Sequence, residues 1–448
     1  MFRATGRRGL IIKAAPAALA VGLIAACAPP GSSGTEGEAT AAAGGGVEVG
    51  ASKEEWTEAL KDMKPITLDF GGLTTGPGTA TTDAYVAYGD YVEELSGGKI
   101  KFKYDFAGAK VPLDKMADAL SQGRIDMGMY IPAYQPEEWP VANAVGSMSI
   151  YGQPHPIAGR MATFAAQVEF AYKFAPLQDE AKKNKVHAMY PLFSPSHDIK
   201  LQCVGDKANT TLADLKGKQV RVSSTSSAAM AKAIGMTPVS LTFPELFQGL
   251  QRGAVDCAVN SVGSTVSGGF LDIIDSWTFG TEPGLDWGET PSGWGISEKT
   301  WEKLPLAAQQ LLWDSQAELL HKVMSASFGE YRNAIDQSHK QGLKFGTYDD
   351  EVNAKIKSFY AGEEKKSAAK LEADGLSEDG AADIEEYKGL YDKWWTVVTD
   401  DLGYDGSYTW TNLHKETSAG LKEDDPAKFT ERFAQDVMLA HRPGGEES

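Results

Sequence analysis

The feature that most restricts the fold is a pattern met twice. Ala119-Leu120-Ser121-Gln122-Gly123-Arg124-Ile125-Asp126-Met127-Gly128-Met129-Tyr130 aligns without a gap on Gly249-Leu250-Gln251-Arg252-Gly253-Ala254-Val255-Asp256-Cys257-Ala258-Val259-Asn260. In each copy a helix end meets a glycine stop and then an apolar strand. Two copies of one unit predict two similar α/β lobes, and open α/β sheets place ligands beyond the C-terminal ends of their strands. Tyr130 and Asn260 hold the equivalent last position, so they are expected to face each other across a cleft. The alternative is coincidence in a common local pattern.

The neighbouring segments fit an α/β reading. Residues 66–70 (ITLDF) form a short apolar run; Tyr85, Tyr88, Val92 and Leu95 share one helix face; Ile100, Phe102, Tyr104 and Phe106 alternate with polar residues, as in a half-buried strand. A chain of 448 residues exceeds one ordinary core, which predicts two lobes plus peripheral segments. Its 42% hydrophobic and 23% charged residues are globular usage. With 43 Lys and Arg against 61 Asp and Glu, the net charge of −18 speaks against nucleic acid, whose recognition needs a concentrated basic surface. An apolar period from about 305 to 341 predicts one long helix bracing both lobes.

The N-terminal region suggests a compartment. Arg3, Arg7, Arg8 and Lys13 precede an apolar run over 14–26, the layout of an export signal and too short to span ~30 Å of hydrocarbon. The ending Leu23-Ile24-Ala25-Ala26-Cys27 resembles a bacterial lipoprotein signal, which implies a lipidated Cys27 and anchorage to the outer face of the cell membrane. Arg7-Arg8 also resembles a twin-arginine signal, with Gly6 where Ser or Thr is usual, so either export route stays open. Residues 27–52, rich in Gly, Ala and Ser, read as a flexible tether. Cys203 and Cys257 lie in apolar strand-like runs and are expected as buried free thiols, a disulfide being the alternative outside the cytoplasm.

Arg221 is the leading functional candidate. In Leu215-Lys216-Gly217-Lys218-Gln219-Val220-Arg221-Val222-Ser223-Ser224, alternation sets Arg221 opposite Val220 and Val222, and residues 223–227 (SSTSS) lead into a helix. A guanidinium beside hydroxyls and a helix N-terminus suits a carboxylate. The alternative is a solvated strand arginine paired with a surface Asp.

Several motifs in order resemble one family. LADLKGKQVRV at 212–222, AMAKAIG at 229–235, PVSLTF at 238–243 and LQRGAVD at 250–256 resemble the solute-binding proteins of tripartite ATP-independent periplasmic (TRAP) transporters. SGGKIKFKY at 96–104, ALSQGRIDMG at 119–128 and SEKTWEKLP at 297–305 extend the resemblance over roughly residues 66–340. It implies that Arg221 binds the ligand carboxylate, that Asn260 orients the same group and that Phe243 packs on the ligand body. Where acid-binding relatives carry a second basic residue this chain has Leu201, with Lys200 one step away on the opposite face, which favours a monocarboxylate. Trp277, Trp287 and Trp294 suit either an aromatic wall or ordinary core, and Trp287 is taken as a candidate wall residue. Thr281-Glu282-Pro283-Gly284 faintly resembles a segment that supplies a metal-ligating Glu in the 2-oxo-acid branch, but no partner ligands are recognisable, so no metal is expected.

Catalysis has no sequence support. The seven His are scattered, and HExxH, GxSxG, Walker and GxGxxG patterns are absent. The expectation is therefore a two-lobed periplasmic-binding-protein-like α/β fold. In it, residues 53–198 with about 286–325 form lobe I and residues 199–285 with about 326–345 form lobe II, joined by crossing strands and a long spanning helix. Residues 1–26 are the signal, and 346–448 a helical extension packed on the lobes. By resemblance such a protein is no enzyme, needs no cofactor, captures an organic carboxylate between lobes and delivers it to an ion-gradient-driven membrane permease. A ligand-sensing lipoprotein of the same fold is the alternative.

Overall fold

The computed structural model describes residues 45–193, 198–406, 408–413 and 425–445. The signal and lipidation expectations, including Cys27, lie outside the described residues, as does most of the tether.

Eleven strands make two sheets among the described residues: β1 (Ile66–Gly71), β2 (Ile100–Tyr104), β3 (Met127–Tyr130), β4 (Val186–Tyr190), β5 (Ile199–Cys203), β6 (Gln219–Val222), β7 (Thr237–Ser240), β8 (Cys257–Ser261), β9 (Ser276–Phe279), β10 (Gly293–Ser297) and β11 (Lys344–Thr347). One sheet runs β2-β1-β3-β10-β4 and the other β11-β9-β5-β8-β6-β7. In the first, β1 is parallel to β2 and β3, and β10 enters antiparallel between β3 and β4. In the second, β6 is parallel to β7 and β8, while β5 runs antiparallel to β8 and β9. The chain thus leaves the first sheet after β4, returns with β10 and leaves again to add β11.

The repeated pattern is a repeated structure. Gly123 and Gly253 both take φ +67°, a left-handed turn that glycine adopts without a Cβ penalty. Past each turn the next amide bonds back to the helix, Arg124 N–H to Ala119 O (2.8 Å) and Ala254 N–H to Gly249 O (2.9 Å). The following aspartate then accepts from a backbone amide of the adjoining strand: Asp126 Oδ2 from Asp69 N–H (2.8 Å), Asp256 Oδ2 from Gln219 N–H (2.7 Å). The same backbone bonds and the same carboxylate brace start β3 beside β1 and β8 beside β6.

Two expectations are corrected. The span predicted as one helix is two, Leu306–Asp314 and Gln316–Gln341, parted at Ser315. The second is about 39 Å long at 1.5 Å per residue and packs on helix Ala80–Leu95 beside the first sheet and helix Val262–Ser267 beside the second. Cys203 and Cys257 are not free thiols but a disulfide, because they are direct partners in the antiparallel β5–β8 register.

Beyond β11, helix Asp350–Ala373 packs on helix Thr225–Ala233 of the second layer, and helix Gly380–Thr396 packs on helix Ala158–Lys173 of the first. Trp394 is fully buried there, its indole N–H donating to Glu169 Oε2 at 2.6 Å, while Trp395 is half-buried. None of the described helices is long and apolar enough to cross a membrane.

Candidate functional site

Parallel strands point their C-terminal ends one way, and loops there carry the free backbone and side-chain groups that bind ligands. In this chain β1 and β3 of one sheet and β6 and β8 of the other end at a single cavity of about 180 Å³. Gly72 to Thr75 follow β1, Ile131 and Tyr134 follow β3, Ser223 follows β6, and Asn260 and Ser261 close β8. The floor is the long helix, whose Val323, Ser327, Glu330 and Tyr331 recur at helical spacing on one face.

Arg221 lines this cavity and is only 3% exposed. It is not a solvated strand arginine: β6 lies between β7 and β8, and both of its faces are covered. Nε donates to Leu241 O (2.9 Å) and Nη1 to Val259 O (3.1 Å), which fixes the plane of the guanidinium. Burial pushes its pKa down, opposed by the adjacent Tyr134 hydroxyl and by Glu245. An arginine nonetheless stays charged in a protein, and two carbonyls do not neutralise it. The cavity therefore presents a fixed, desolvated cation.

Asn260 lies beside it at 4% exposure. Its Nδ2 is 3.4 Å from Ser261 O, and its Oδ1 is 3.5 Å from Ser264 Oγ, both at the limit of hydrogen bonding, so the amide keeps donor and acceptor capacity. Phe243 also lines the cavity, its ring edge-on to Phe270 at 5.4 Å. It opens helix Phe243–Gln251, held by a capping box between Thr242 and Glu245.

Tyr130 and Trp287 lie elsewhere. Tyr130 is paired with Gly293 of β10, and its ring covers that glycine so closely that a Cβ there would meet Cζ at 2.2 Å. The ring packs on Trp139 at 5.0 Å, and it is the preceding Met129 that reaches the cavity. Trp287 is buried in the smaller hydrophobic cluster, its indole N–H donating to Tyr348 Oη at 2.9 Å. Lys200 is likewise turned away, paired with Asp286 at 2.6 Å and lying 4.9 Å from the Trp410 ring centre. Glu282 is a surface partner of Lys357. Among the described residues no cluster of His, Cys, Asp or Glu has the arrangement of a metal site.

Two cavity residues escaped sequence reasoning. Tyr134, in the short turn Pro132–Tyr134 after β3, reaches across from the first-sheet side to accept from Phe243 N–H at 3.2 Å and stands beside Arg221. Glu330 accepts from Thr81 Oγ1 at 3.0 Å, linking the long helix to the start of helix Ala80–Leu95. The signal for Tyr134 was available, since the rule of strand ends favours the loop after β3 over its last residue.

Residues 200–369 match the sequence model of the family described as bacterial extracellular solute-binding protein, family 7. Solved structures share the fold. A marine metagenome TRAP solute binding protein specific for aromatic acid ligands, in complex with metahydroxyphenylacetate, is 18% identical with a TM-score of 0.63, covering 73% of this chain and 99% of its own. A TRAP solute binding protein from Rhodoferax ferrireducens T118 with copurified benzoate is 20% identical with a TM-score of 0.61, covering 74% and 99%. The sugar acid binding protein of Advenella mimigardefordensis strain DPN7T, in complex with galactonate, is 18% identical with a TM-score of 0.61, covering 74% and 100%. The family match covers the part of the chain that carries β6, β8 and the long helix, and the solved structures share its two-lobed α/β fold.

Proposed function

We propose that this chain is a TRAP solute-binding protein that captures a small organic carboxylate in the cavity between its two sheets and delivers it outside the cytoplasm to a membrane permease driven by an ion gradient. The observation that carries the reading is Arg221: a buried guanidinium held in plane by two carbonyls, lining a cavity where strands from both sheets end. A carboxylate placed there accepts two parallel N–H bonds and offsets the desolvated charge, while Asn260 and Phe243 select its orientation and body. Because both halves of the molecule line the cavity, a bound anion favours their closed arrangement. The solved relatives with an aromatic acid, benzoate and a sugar acid support a carboxylate as the ligand class. We further propose that residues 1–26 act as an export signal and that a lipidated Cys27 holds the protein at the membrane, with residues 53–198 and about 286–325 forming lobe I, 199–285 and about 326–345 lobe II, and 346–448 the extension.

A thermal-shift screen of organic acids beside their amides tests the ligand class. Stabilisation by at least one acid, with none from its amide, is expected; equal stabilisation by an acid and its amide contradicts the reading.

A further inference from the structure

Among the described residues that line the cavity, Arg221 is the one base and Glu330 the one acid. Glu330 stands on the long helix and takes its hydrogen bonds from the Thr81 hydroxyl and backbone N–H, neutral donors; burial pushes its pKa above the ordinary carboxyl value, so its charged form calls for a cation beside it. No Lys, Arg or His forms an ion pair with it among the described residues. Arg160 forms no ion pair with it and acts on it through space, its Nη1 donating to Tyr331 Oη at 3.0 Å while Nε and Nη2 are buried without a hydrogen-bond partner. The Glu330 carboxylate also lies against the corner after β8, where a Cβ at Gly263 would come within 3.3 Å of Oε2.

A plain carboxylate neutralises Arg221 but brings a negative charge into the cavity that Glu330 also lines, leaving that carboxyl without a cation, and a dicarboxylate brings more. An ammonium on the same ligand removes that conflict, since opposite fixed charges in a desolvated site select a molecule with the reverse pair. We infer that the ligand is a zwitterion, its carboxylate held by Arg221 and its ammonium by Glu330. This rests on the carboxylate reading and narrows it.

Matched sets test it by calorimetry: leucine, 2-hydroxy-4-methylpentanoate and 4-methylpentanoate; phenylalanine, 3-phenyllactate and 3-phenylpropionate; proline and cyclopentanecarboxylate. At least one ammonium member is expected to bind about tenfold or more tighter than its partners, the factor expected of a charge pair worth about 1.4 kcal/mol. Glu330→Gln is expected to reduce that ratio to within about threefold, and Glu330→Asp to keep most of it. Circular dichroism establishes that each variant is folded, and the wild-type ratio decides the matter if one is not. The inference is overturned if a hydroxy or unsubstituted acid binds as tightly as its ammonium partner, or if Glu330→Gln leaves the preference intact. Absence of binding by every carboxylate, in these sets and in the organic-acid screen, overturns the carboxylate reading and this inference with it; binding without ammonium preference overturns this inference alone.

Discussion

Burying a guanidinium is costly unless an anion meets it, and inside this protein Arg221 meets two carbonyl oxygens and the Tyr134 hydroxyl. Tyr134 also accepts from the first amide of helix Phe243–Gln251, so one phenol ties the two sides of the cavity together beside the cation. Tyr134→Phe is expected to weaken binding of any carboxylate ligand by about three- to tenfold, the worth of roughly one hydrogen bond. Tyr130→Phe is expected to leave it within about twofold, because that ring belongs to the packing over Gly293. Calorimetry of both variants checks this, and the reverse order would contradict the geometry. Arg221 was legible in the sequence because two-residue alternation between Val220 and Val222 sets its side. Tyr130 was misread because sequence equivalence with Asn260 says nothing of what lies opposite: a glycine beside β3, where β8 has Lys200.

Strands and their braces decide how firmly the cavity walls are held. The disulfide joins β5 to β8 directly below the strand end that carries Asn260, and it closes a loop of 54 residues. The double variant Cys203→Ser, Cys257→Ser is expected to lose roughly 2–4 kcal/mol of stability, read from urea unfolding, with an unchanged midpoint contradicting a stabilising bridge. At β4, His187 stacks on Trp301 at 4.0 Å, and burial lowers its pKa to about 4. Its folded pKa thus lies below the ordinary value of 6.5, so the unfolded chain binds more protons between the two, and this contribution to stability is lost as pH falls from 6.5 toward 4. Melting temperatures across that window should fall more steeply for wild type than for His187→Gln, and parallel curves would exclude the assignment. The thiols were read as free because sequence gives strand-like runs but not their register, and only direct opposition across antiparallel strands makes this pair bond.

Over the whole molecule, the twofold pattern at 119–130 and 249–260 foretold the architecture, since each copy builds the same turn, the same back-bonded amide and the same aspartate brace. What sequence could not locate was the floor: Glu330 belongs to an ordinary amphipathic helix until the two sheets close over it, and Ser315 interrupts a periodicity that reads as continuous. The account rests on one charge shared between two halves of the protein. Calorimetric titration of the tightest-binding carboxylate into wild type and folded Arg221→Ala measures that charge directly. Loss of roughly 2–5 kcal/mol of binding free energy in the variant is the predicted result, because the carboxylate is left buried and unpaired. Equal affinity in the two proteins would contradict the account.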